Sequence, residues 1–63
     1  MKATLISSSP TLSGAVKAIN EFFFSTSYTV DPESLEILHP TKNIGQWYRV
    51  RLYRGRYRFE SID

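Results

Sequence analysis

Across residues 46–60 the chain reads QWYRVRLYRGRYRFE, five arginines interleaved with aromatic and aliphatic residues. Arginine presents a planar fork of donors that matches phosphate or carboxylate oxygens, and flat rings stack on unpaired bases or on guanidinium planes. The chemistry on offer is anion recognition, and the residues that offer it are Trp47, Arg49, Arg51, Tyr53, Arg54, Arg56 and Arg58. The signal is one of composition. No short signature of an RNA- or DNA-binding module accompanies it, and no glycine loop precedes a helix to cradle phosphate.

Three readings of this set stay open. It binds nucleic acid or another polyanion; or it is a solvated face whose arginine stems cover neighbouring rings; or it is a protein interface, with an acidic partner surface or a second copy, because Trp, Tyr and Arg are enriched at interface hot spots. A face-to-face homodimer would crowd like charges, so self-association is expected through a strand edge or through Phe24 and the helix margin. Arginines on a strand pair also discourage the addition of further strands.

Catalysis has less support. His39 is the single histidine and lies beside Pro40, with no carboxylate brought to it by any defensible spacing. Asp31, Glu33 and Glu36 suit turn and cap formation better than a cation loop. The serines at 7–9 lack an identifiable general base. No catalytic, cofactor-binding or metal residue is assigned, and the expectation is a non-enzymatic binding module without a cofactor.

The elements that position the arginines follow from the alternation. An extended backbone puts Tyr48, Val50 and Leu52 on one side and Trp47, Arg49, Arg51 and Tyr53 on the other. After Arg54 and Gly55 the pattern resumes, with Tyr57 and Phe59 on the first side and Arg56, Arg58 and Glu60 on the second. The register that keeps apolar residues together sets Leu52 opposite Tyr57, Val50 opposite Phe59, Arg49 opposite Glu60, Arg51 opposite Arg58 and Trp47 opposite Ile62. A slip by one would mix core and solvent on each face. The turn is either a two-residue loop at 54–55, which needs positive φ at Arg54 as well as Gly55, or a four-residue loop over 53–56.

Upstream, residues 2–8 predict a strand whose imperfect alternation suits a central position, a face covered by another subunit, or a local irregularity. Pro10 interrupts, Thr11 or Ser13 caps, and Leu12, Ala15, Val16, Ile19, Phe22 and Phe23 recur at the spacing of one helical face. Three adjacent phenylalanines wrap wider than one face needs, so one of them, Phe24, is expected at a margin or in an interface. Residues 28–30 and 35–39 read as short strands around a turn at 31–34, the alternative being one short helix capped by Asp31. The expected architecture is α+β, in the order β-α-β-β-β-β and ending in a hairpin. Its single helix packs on one face of a small, mostly antiparallel sheet, burying its stripe against Tyr48, Val50, Leu52, Tyr57 and Phe59 and leaving the arginines uncovered.

Composition bounds the rest. The 63 residues are enough for one domain, 1–63. Area scaling for 7.3 kDa gives about 90 to 100 kcal/mol of apolar burial. Ordering the chain costs about 1.5 kcal/mol per residue, nearly the same total, so a partner subunit covering more apolar surface is a physical expectation. The formal charge of +2 is uneven: residues 1–45 hold three lysines against four acids, and residues 46–63 hold five arginines against Glu60 and Asp63. There is no cysteine, and a secreted chain this short would usually carry disulfides. No apolar run approaches the roughly 20 residues of a membrane span, and the start is too polar for a signal-peptide core. A cytoplasmic location and no membrane partner are expected.

Overall fold

A computed structural model of the chain describes residues 2–63. The elements run β1 (Ala3–Ser9), α1 (Leu12–Phe22), β2 (Thr29–Val30), β3 (Ile37–Leu38), β4 (Tyr48–Tyr53) and β5 (Arg56–Ile62). A single helix packs on a small antiparallel sheet in the expected β-α-β-β-β-β order. The strands divide into a three-stranded sheet, β1-β5-β4, and a separate β2-β3 ribbon.

The final hairpin takes the register that the alternation demands, with Val50 opposite Phe59, Arg49 opposite Glu60 and Arg51 opposite Arg58. Its turn is the tight one. Tyr53 pairs with Arg56, and φ is 52° at Arg54 and 77° at Gly55, the positive pair of a type I′ turn. That geometry matches strand twist but costs a residue with a Cβ about 1 to 2 kcal/mol. Arg54 therefore holds a strained position at the hairpin tip.

β1 is an edge strand, and β5 is central. The register between β1 and β5 shifts between Leu5 and Ser7, taking up Ile6 as an extra residue. Ile6 packs against the core while Leu5 stays exposed. The broken alternation therefore came from a bulge, the local irregularity, and not from a central position.

Thr11 is the helix N-cap, its Oγ1 accepting from the Gly14 N–H at 3.1 Å. Gly14 has a packing reason, because a Cβ there would fall 2.0 Å from Ser9 Oγ. The stripe predicted from periodicity buries Ala15 and Ile19 and sets Leu12, Val16 and Phe23 against Val50, Phe59, Tyr28 and Ile44. Complete burial of Phe59 and Ile19 contributes about 1.5 to 3 kcal/mol each. Leu52 departs from expectation: it lies near the hairpin tip, beyond the roof of the helix, and is 54% exposed.

Asn20 closes the loop after the helix. Its side chain donates to the Tyr28 carbonyl at 3.1 Å and accepts from the Tyr28 N–H at 2.9 Å. Residues 31–39 form a turn plus a strand shorter than expected. Asp31 Oδ1 accepts from the N–H groups of Glu33 and Ser34, and Leu35 takes φ 61°, which removes it from β3. Those bonds, Ser34 first and Glu33 second, hold the Asp31 carboxyl below its ordinary range.

Candidate functional site

On the sheet face away from α1, Arg49, Arg51 and Tyr53 of β4 lie beside Arg56, Arg58 and Glu60 of β5. The feature that organises them is Glu60, a carboxylate only 2% exposed. Its Oε1 accepts from Arg49 Nε at 2.9 Å and Arg51 Nε at 3.0 Å, and its Oε2 accepts from Arg58 Nε at 2.9 Å. Burial raises the Glu60 pKa, but hydrogen bonds from Arg58, Arg51 and Arg49 outweigh that and bring it to about 2. The carboxylate is ionised at any ordinary pH. It also relieves the repulsion between the opposed Arg51 and Arg58.

The mode of contact matters more than the charge count. All three arginines reach Glu60 through Nε, and among the described residues their terminal Nη groups make no hydrogen bond. Each guanidinium is thus held at its Nε, and its two Nη groups keep their hydrogen-bonding capacity for another acceptor. The three arginine side chains remain partly exposed, so the face they form is in contact with solvent. Five arginines against one glutamate leave the face strongly positive even after this neutralisation.

The aromatic members flank the arginines of β4, Tyr53 at its end and Trp47 just before its start. Tyr53 gathers cations: the guanidinium carbons of Arg51, Arg54 and Arg58 lie 5.0, 5.2 and 5.8 Å from its ring centre, within cation–π range. Trp47 is 57% exposed. Its backbone is fastened, since its N–H donates to Ile44 O at 3.0 Å and its carbonyl accepts from Ile62 N–H at 2.7 Å. Trp47 lies in the turn immediately before β4 and Tyr53 closes the strand, so Arg49 and Arg51 lie between them along the chain.

Arg56 stands apart from this cluster. Its Nε donates to Ser8 Oγ at 2.8 Å and its Nη2 to the Ser8 carbonyl at 3.2 Å, bracing β5 against the edge strand β1. The structure thus brings together Arg49, Arg51, Arg58, Tyr53 and Arg54, leaves Trp47 open at the far end, and commits Arg56 to strand bracing. Sequence reasoning gave Glu60 one partner, Arg49, and missed its role as the shared acceptor. The signal was present in the register: Arg58 lies two residues along the same strand and Arg51 lies on the diagonal, both within reach on the same face.

Other chemistry-bearing residues have local work. His39 packs its ring 4.4 Å from that of Tyr28 and accepts the Thr41 N–H through Nδ1 at 3.1 Å. Among the described residues no group of three or more histidine, aspartate or glutamate side chains converges as a metal site would require. No helix among them is long and apolar enough to cross a membrane. The chain is a small α+β domain with an exposed arginine and aromatic face, and comparisons with protein-family models, with curated proteins and with solved structures found no match to it.

Proposed function

We propose that the domain is a non-enzymatic binding module that takes a single-stranded nucleic acid across the outer face of its sheet. The observation that carries this reading is the fan of Arg49, Arg51 and Arg58, held at Nε by Glu60 and partly exposed, with no hydrogen bond to their Nη groups among the described residues. Fixing the guanidiniums beforehand lowers the side-chain entropy lost when phosphate binds. Trp47 supplies a flat surface for an unpaired base at one end, and the guanidinium planes gathered on Tyr53 supply a stacking surface at the other, so a strand engaging both runs along β4 over the arginines. A sheet face offers stacking platforms and no protruding helix or ribbon to enter a duplex groove, which favours single strands.

Titrating labelled single-stranded and duplex oligonucleotides of one sequence, at several salt concentrations, tests the proposal. The single strand is expected to bind more tightly, with log K falling against log salt at a slope of about −2, as for three phosphates neutralised on a single strand. Trp47→Ala should weaken binding by about 1 to 3 kcal/mol. Absence of binding at low salt, or equal competition by a polyglutamate peptide, would overturn it.

A further inference from the structure

The outward side of α1 carries features that the arginine face does not use. The helix ends in a Schellman motif: Ser25 N–H donates to Asn20 O at 2.9 Å and Phe24 N–H to Glu21 O at 3.3 Å. The residue this motif places in the left-handed region is Phe24, at φ 52°, where glycine is the usual occupant. Its ring is 97% exposed. Backbone strain and a whole aromatic side chain in water thus fall on one residue, and such coincidences cluster at sites with a binding role.

The neighbouring charges indicate what binds. Lys17 and Glu21 are exposed on the same side of α1, one turn apart, and among the described residues neither joins an ion pair. With Asn20, Phe24 and residues 25–27 they line a shallow depression. We propose that this surface docks a second copy of the chain, the two helices running antiparallel about a two-fold axis. One lysine and one glutamate on a single face are self-complementary under that symmetry: Lys17 meets the partner's Glu21, and Glu21 meets the partner's Lys17. The register these charges set carries Phe24, just past the end of α1, toward the partner's first helical turn around Ser13 and Gly14. Ser9 fills the space beside Gly14, so what the ring meets there is the small side chains of Ser9 and Ser13. A lipid surface fits less well, because Glu21 lies beside the ring and Lys17 is the lone cation there. Because α1 covers the opposite side of the sheet, the dimer leaves both arginine faces free and pointing apart.

Sedimentation equilibrium of the full chain up to millimolar concentration tests this, since an interface built on one short helix is expected to be weak. The wild type should show a dimer. Lys17→Glu and Glu21→Lys should each raise the dissociation constant at least about tenfold, and the double swap should restore it. Phe24→Gly should abolish the dimer while circular dichroism shows the helix intact, which separates lost association from lost folding. A wild-type mass of one chain at every concentration overturns the proposal, as does a dimer indifferent to all these changes. Wild-type monomer that cosediments with phosphatidylcholine vesicles, lost in Phe24→Gly, overturns it in favour of lipid.

Discussion

On the outer sheet face three arginines share one buried carboxylate; on the outward side of α1, Lys17 and Glu21 have no ion-pair partner among the described residues and stand beside a phenylalanine ring in water. Both surfaces meet solvent, yet the first uses its charges to hold its own geometry and the second leaves its charges to water. A face of the first kind is already shaped when a ligand arrives, and substitutions there disturb the fold. A face of the second kind contributes little to the isolated chain, and substitutions there leave stability unchanged or raise it.

The largest contrast is expected at Glu60. Replacing it with glutamine removes the charge that three guanidiniums share and should cost about 1 to 2 kcal/mol in urea melts, after allowing for the solvent that screens those arginines. Lys17→Glu should stay within about 0.5 kcal/mol of wild type. Acid sharpens the same comparison. The Glu60 pKa is depressed to about 2 on folding, so its contribution is fully present above the ordinary glutamate range and is lost as pH falls through about 2. Melts between pH 5 and 2 should therefore show an acid limb that Glu60→Gln flattens.

At Phe24 the sign reverses. Phe24→Gly relieves a left-handed residue with a Cβ and should raise monomer stability by about 1 kcal/mol, measured at concentrations too low for association. The smallest effect is expected at the hairpin tip. Arg54→Asn keeps the positive φ at lower strain and should gain about 0.5 kcal/mol in the same melts while weakening oligonucleotide binding. A loss of stability at either position would show that the side chain has a supporting contact which outweighs the strain of its backbone.

Much of this architecture is legible in the residues. The hairpin register follows from alternation, because only one pairing keeps Val50, Leu52, Tyr57 and Phe59 together, and the helix follows from the spacing of Leu12, Ala15, Val16 and Ile19. Three things escape local pattern. The central place of β5 depends on pairing with β1 from the far end of the chain, which no local periodicity encodes. The bulge at Ile6 adds a residue to the core side and mimics a strand apolar on both faces. Leu35 and Phe24 take left-handed conformations that their residue types do not advertise, which shortened β3 and hid the form of the helix cap. At the candidate site, the arginine face was visible from parity alone. The hub at Glu60 was not, because counting directly opposed pairs overlooks diagonal neighbours.

The hydrogen bond from Asp63 N–H to the Lys2 carbonyl, 2.8 Å long, joins the two flanks of the chain at the corner farthest from the Arg54 turn. Any label or host sequence attached at either flank leaves from that one corner, clear of the hairpin tip. Circular permutation is also natural here: bridging the flanks with a short linker and opening the exposed loop at 41–43 would place β5 directly before β1. The pairing that now must close nearly the whole chain would then span only the linker, and the sheet would assemble with far less loop entropy to overcome.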